Sequence, residues 1–407
     1  MPSQEELEEL IARVWPKAEA LGLDPGYVHF ELVDQEFIQL VVAHGGLPLR
    51  YGHWSFGQSH KRIKTAYDFR LTQVYELVVH HEPAYAFIDR ATSSQEALLI
   101  VAHVLAHADF FRHHRGFQFG PPDMINRAAR HRRQMDAWRR RYGDEAVDSL
   151  LDAAHVLADF TGDSLLLHAI GESPDDVLGM VWRYAPRLDD WEREALMLTW
   201  REARYFWPQQ VTKIANEGFA TFCHNALLRE LALDGGEAWE TARLNARIVR
   251  VTPSQLNPYR IGYLCYRHAY ESGGWAAVWQ ARQVYDDVGL VRAFFSEDLV
   301  AEAGLAVFSA AGDPESGRDH PAKVRRQLLQ DLDRAGLPRV SVEAIDGPEL
   351  VLRHHHDGRD LDFQELPWAL KQVAERLWKG PVTLLTERQR VRHRVTHDGR
   401  EWRDEVG

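Results

Sequence analysis

Cysteine is almost missing from this chain of 407 residues, which contains only Cys223 and Cys265. The two lie far apart, each in an apolar helical pattern, so a disulfide framework and a cysteine-based zinc site are excluded and a reducing, cytoplasmic setting is expected. Cys223 precedes His224, but consecutive helix residues point about 100 degrees apart, so the pair is not a nucleophile facing its base. No segment reaches the roughly 20 apolar residues of a membrane span. The acidic start, Met1 to Leu10, lacks the basic residues and apolar stretch of a secretory signal. Positive charge is also in deficit: 48 Lys and Arg stand against 60 Asp and Glu, a formal net charge of -12. That balance excludes a general attraction to nucleic acid. The Arg-rich run from Arg127 to Arg141 therefore reads as the solvated face of an amphipathic helix.

What the chain does have is an ordinary apolar content of 45%, enough for a large core in two or three domains, and 21 histidines. Two of these carry the strongest signal. His103 and His107 fall four residues apart in a run of helix formers opened by a Ser cap, so both imidazoles share one helix face. At that spacing the β-carbons are about 5 to 6 Å apart, close enough for two ring nitrogens to converge on one cation.

A second helical stretch, Gln209 to Leu231, contains Asn216-Glu217-Gly218 and supplies the carboxylate that such a site lacks. Gly218 costs that helix about 0.8 to 1.0 kcal/mol relative to Ala, which implies that another element or a ligand approaches the backbone there. Lys213 lies one turn before Glu217 and could neutralise it. His224 follows Glu217 by two turns, a rise of roughly 10.5 Å, so it is expected beside the site or facing substrate, with a fourth ligand as the alternative. A buried histidine pair bonded to carbonyls or carboxylates is the competing, purely structural account. The runs of adjacent histidines, His80-His81, His113-His114 and His354-His355-His356, share no ligand periodicity with a second element and read as surface or edge positions. His29 and Glu31 alternate on a strand and fit a solvated sheet face.

These stretches resemble the stage V sporulation protein R (SpoVR) family. The likeness rests on His103-Val104 with His107, Tyr205-Phe206-Trp207-Pro208-Gln209, Thr212-Lys213-Ile214 and Asn216-Glu217-Gly218. It extends to His53-Trp54-Ser55-Phe56-Gly57, Tyr75-Glu76-Leu77-Val78, Pro83 to Phe87, Leu244-Asn245-Ala246 and Asn257-Pro258-Tyr259. The resemblance implies a role in spore cortex formation or, in bacteria that do not sporulate, in stress and stationary-phase physiology. It also implies a partner linked to a serine protein kinase. A weaker similarity joins the two motifs to gluzincin peptidases, whose His-Glu-x-x-His is followed by Asn-Glu-Gly. Here Val104 replaces the catalytic Glu, and the third ligand comes much later in the chain.

Hydrolysis would then need another carboxylate as general base, for which Glu202 is the first candidate, with Glu76 and Glu31 behind it. Glu202 lies on a helix expected to end at Pro208, just before the helix of Glu217.

The periodicity predicts a mainly α-helical domain over 1–309 with short strands near 27–33 and 84–88, a linker over 310–322, and a small α+β domain over 323–407. The C-terminal part reads as helix, strand, Asp346-Gly347 turn, strand, helix and two further strands. The reading as a whole is a cytoplasmic protein with a zincin-like site for a divalent metal, zinc first and iron or manganese as alternatives. Its ligands would be His103, His107, Glu217 and, less centrally, His224, and its reaction amide or peptide hydrolysis. The alternative is a non-catalytic scaffold whose aromatic surfaces, His53-Trp54 among them, bind a protein or a wall precursor. Iron-dependent oxidation is a third option.

Overall fold

The computed structural model describes residues 2–59, 76–162, 172–251, 256–308, 314–316 and 320–407. In chain order it begins with α1 (Gln4–Leu21), β1 (Val28–Val33), α2 (Gln35–Ala43), β2 (Glu76–Val79), β3 (Ala84–Asp89) and α3 (Ser94–His113). Then come α4 (Met124–Tyr142), α5 (Asp144–Leu157), α6 (Val177–Tyr184), α7 (Asp190–Val211), α8 (Lys213–Glu230), α9 (Gly235–Ile248) and α10 (Pro258–Val284). Next follow α11 (Asp287–Phe294), α12 (Glu297–Ala303), the strand pair β4 (Ala306–Phe308) and β5 (Pro314–Ser316), and α13 (Pro321–Leu332). The chain ends with β6 (Val340–Asp346), β7 (Glu349–His354), α14 (Leu366–Gln372), β8 (Val382–Arg388), β9 (Val391–His397) and β10 (Trp402–Val406). The protein is thus mainly helical, with a small C-terminal sheet. Much of the expected 310–322 linker lies outside the described residues.

The contacts gather the chain into two compact units: Met1–Ile125 with Gln210–Asp333, and Asn126–Gln209 with Arg334–Gly407. The first is built around α3. Every residue from Ala97 to Phe111 is buried, as expected of a helix apolar on all sides. Its start is a full capping box, in which the Glu96 amide donates to Ser93 Oγ at 3.2 Å and the Ser93 amide donates to Glu96 Oε2 at 2.8 Å. Helices α1, α8 and α10 pack around it, and a three-stranded sheet of order β1-β3-β2 completes the unit. β1 runs parallel to β3, and β2 pairs antiparallel with it, Glu76 opposite Ile88. β2 has no counterpart in the sequence expectation. It is only four residues long and follows directly on undescribed chain.

Buried polar groups tie these helices together. Asp109 of α3 is wholly buried, forms an ion pair with Arg282 of α10 and accepts the Asp24 amide at 2.8 Å. Asp287 accepts the Ala215 amide at 2.8 Å, satisfying one of the free N–H groups at the start of α8.

The second unit combines α4 to α7 with the five-stranded sheet β10-β9-β8-β7-β6. Val342 donates its amide to Pro174 O at 2.7 Å, and the wholly buried Trp378 donates Nε1–H to Pro348 O at 2.7 Å. The β6–β7 hairpin turns through Gly347-Pro348, where Gly347 adopts φ +57, a conformation that suits glycine. Helix α7 does not stop at Pro208 but continues to Val211. The break falls at Thr212, with φ -122 and ψ 20.

Candidate metal centre

Helices α3 and α8 pack side by side, and their facing residues bring His103, His107 and Glu217 together with one potential ligand atom from each within 4.8 Å of the others. Glu217 Oε2 lies 3.4 Å from His103 Nε2 and 3.4 Å from His107 Nε2. The two imidazole rings are 4.5 Å apart and nearly perpendicular, at 89°. Both histidines are buried, while the Glu217 side chain keeps 20% exposure.

The far nitrogens of the two rings are already engaged. His107 Nδ1 lies 2.9 Å from Asn216 Oδ1, an acceptor, so Nδ1 carries the hydrogen. His103 Nδ1 lies 2.9 Å from His224 Nδ1. The direction of that bond follows from its neighbours. Asn225 Nδ2 donates to Thr221 O at 2.7 Å and to Asn245 Oδ1 at 3.2 Å, which orients both amides. His224 Nε2, 3.0 Å from Asn245 Oδ1, is then a donor, so His224 Nδ1 is an acceptor and His103 Nδ1 donates to it.

In its neutral form each ring therefore turns an Nε2 lone pair toward the same carboxylate. Without a cation between them, these three electron-rich atoms repel one another. Their 3.4 Å separations exceed the usual N–H···O range of about 2.7–3.2 Å. They match the edge of a tetrahedral site, since ligand atoms at about 2.0–2.2 Å from zinc sit about 3.3–3.5 Å apart. The donor set, two neutral imidazoles and a carboxylate with their outer nitrogens held, fits a divalent metal.

In the metal-free cluster the imidazoles stabilise the carboxylate as proton donors. Burial pushes Glu217 up, but its contacts with His103 and His107 outweigh it and hold the carboxyl well below the usual range. Burial and the neighbouring His107 lower His103 to about 4. Burial and His103 lower His224 to about 3, keeping it a neutral acceptor at physiological pH. His107 moves the other way: burial disfavours its charged form, but Glu217 more than compensates.

Glu76, at the start of β2, belongs to the same electrostatic neighbourhood. Burial and the charge of Glu217 raise it to about 7, with His107 opposing. Glu202 sits in the other unit, wholly buried, where its Oε1 accepts from His131 Nδ1 at 2.8 Å. Glu31 lies on β1, with its side chain outward. Lys213 is exposed at the first position of α8.

Three contributors were not among the site residues expected from sequence. Asn216 and Asn245 orient the histidines, and Tyr259 of α10 sets its ring 6.0 Å from that of His103. All three stand inside the motif stretches quoted above, so a signal for them existed, but their roles depend on contacts between distant segments. The Tyr259 phenol is held well above its ordinary value, first by the charge of Glu217 and then by burial.

A mainly helical protein with a buried His-His-Glu cluster is the class that fold and site define. A family model described as "SpoVR like protein" matches residues 2–166 and 163–336, and the chain belongs to the SpoVR family. The chain is similar to "Uncharacterized protein YcgB" of Escherichia coli (strain K12), with 24% identity over 322 residues. That alignment covers 64% of this chain, and the chain spans 62% of the length of that relative. No solved structure matches the chain.

Proposed function

We propose that His103, His107 and Glu217 bind a divalent metal, zinc first and iron or manganese as alternatives, and that the centre hydrolyses an amide or peptide bond. The observation that carries this reading is the convergence of two Nε2 atoms on Glu217 Oε2 at 3.4 Å, with both Nδ1 atoms committed elsewhere. A divalent cation there would supply Lewis-acid polarisation of a substrate carbonyl.

The chain must then provide the general base. Val104, at the position where gluzincins carry Glu, is apolar and wholly buried. Glu76 reaches the same neighbourhood from a different element, and its value of about 7 suits a group that takes a proton from water near neutrality. In this reading Glu76 accepts the proton of the attacking water and His224 keeps His103 in its ligating tautomer. The family likeness supports a place in sporulation or stress physiology, with a partner linked to a serine protein kinase.

Elemental analysis of the purified chain, beside His103→Ala and Glu217→Ala with circular dichroism as a folding control, tests the site. About one metal per wild-type chain, lost from both folded variants, is the expected result. A wild type that takes up no zinc, iron or manganese on incubation would sink the enzyme and leave the scaffold, with the cluster as a protonated polar network.

A further inference from the structure

Asp176, at the start of α6, is a wholly buried carboxylate whose oxygens are already engaged. It accepts the Gly179 amide at 2.9 Å, Trp200 Nε1–H of α7 at 2.9 and 3.1 Å, and Arg183 Nη1 at 3.4 Å. A β-carbon on Gly179 would lie 1.9 Å from Asp176 Oδ2, so the glycine leaves the room that this carboxylate fills. Arg193 of α7 ties down the end of α6, donating to Arg183 O at 3.1 Å and Ala185 O at 2.9 Å. The facing sides of α6 and α7 are thus held together by polar contacts.

Two guanidiniums stack on the aromatic rings between these helices. Arg183 lies 4.7 Å from the centre of the Trp182 ring and 5.1 Å from that of Trp200, and Arg204 lies 4.8 Å from that of Trp200. Arg183 has Asp176 as its partner. Arg204 is half-buried and, among the described residues, has no carboxylate within ion-pair distance, and its buried Nε has no acceptor. Trp182 Nε1, on a ring 5.8 Å from that of Trp200, is likewise buried without an acceptor. Burial holds the Arg204 guanidinium below its ordinary value, with Asp176 opposing and Arg183 adding to the effect. Two positive charges against one negative, and two buried N–H groups with nothing to donate to, call for a negatively charged acceptor. We propose that Arg204, with Arg183 over the same ring, binds a small oxyanion, the phosphate or carboxylate group of a ligand. A planar guanidinium offers such a group two parallel N–H bonds. The site is independent of the metal reading above.

Inorganic phosphate and acetate are the probes, each against potassium chloride at the same ionic strength. Urea denaturation of wild type, Arg204→Gln and Arg204→Lys, with circular dichroism as a folding control, reads binding as a gain in stability, because an anion held only by the folded chain stabilises it. The expected result is a gain that grows with anion concentration in the wild type, is absent from Arg204→Gln and is reduced in Arg204→Lys, which keeps the charge but not the fork. Titration of the ¹⁵N-labelled Trp182 indole resonance, assigned with Trp182→Phe, gives the affinity directly. A saturable shift, weaker by about 10- to 100-fold in Arg204→Gln, is expected. A response to one anion alone supports the site and names its ligand group as phosphate or carboxylate. Equal stabilisation of wild type and Arg204→Gln would make the effect a general one of salt and overturn the site. An indole resonance that neither anion shifts beyond the chloride control would overturn it as well.

Discussion

Gly218 on α8 and Gly262 on α10 touch backbone to backbone: a β-carbon built on Gly218 would lie 2.2 Å from Gly262 Cα. Neither helix has room for even a methyl group at the crossing. On an isolated helix Gly218→Ala would stabilise by about 0.8 to 1.0 kcal/mol through propensity. In this protein overpacking reverses the sign. Gly218→Ala is expected to destabilise by about 1 to 3 kcal/mol in urea denaturation, and a gain in stability would contradict the close crossing.

His224 accepts from His103 and donates to Asn245, and so decides which nitrogen of His103 faces Glu217. His224→Leu leaves the His103 Nδ1–H without a partner and frees the ring to change tautomer. A zinc affinity weaker by about 10- to 100-fold, with helicity retained, is the expected outcome in chelator competition. Equal affinity would mean that the tautomer is held in some other way.

Under the proposed hydrolysis two carboxylates compete for the role of base, and their surroundings separate them. Glu76→Gln is expected to lower the turnover of an amide substrate by about 10²- to 10⁴-fold with metal content unchanged. Glu202 is buried against His131, so Glu202→Gln is expected to act on stability, by about 1 to 3 kcal/mol, with turnover per folded molecule kept. The reverse pattern would assign the base to Glu202.

Burial lowers His114 to about 4, and its ring is fixed as the neutral form: Nε2–H donates to Tyr285 O at 3.2 Å, and Nδ1 accepts the Gly116 amide at 3.1 Å. A folded value below the unfolded one means that protons favour the unfolded chain. The contribution of His114 is thus complete above about pH 6.5 and is lost as pH falls toward about 4. The stability gap between wild type and His114→Gln should narrow over that window in urea titrations. A gap independent of pH would show that His114 titrates as it does in the unfolded chain.

Local chemistry was legible wherever short spacing decided it. His103 and His107 share a face because a helix repeats every 3.6 residues, and the serine before their helix caps it because a hydroxyl satisfies free amides. The capping residue proved to be Ser93, with Ser94 as the first helical residue. The hairpin around Gly347 followed from turn chemistry in the same way. Gly218 announced that something comes close, but it could not name Gly262 as the neighbour. β10 escaped notice because only Trp402 and Val406, at its ends, are apolar, and an exposed edge strand has no buried face to impose alternation.

The sequence by itself determined that the chain is mainly helical and which residue types stand at ligand spacing on its helices. The tertiary structure alone decided that Glu217 meets His103 and His107, that His224, Asn216 and Asn245 hold the network behind them, and that residues 126–209 gather with 334–407 into one unit. The division has a physical origin. Helices, caps and turns depend on neighbours within a few residues, whereas convergence of distant side chains depends on how whole faces pack, which no local pattern records.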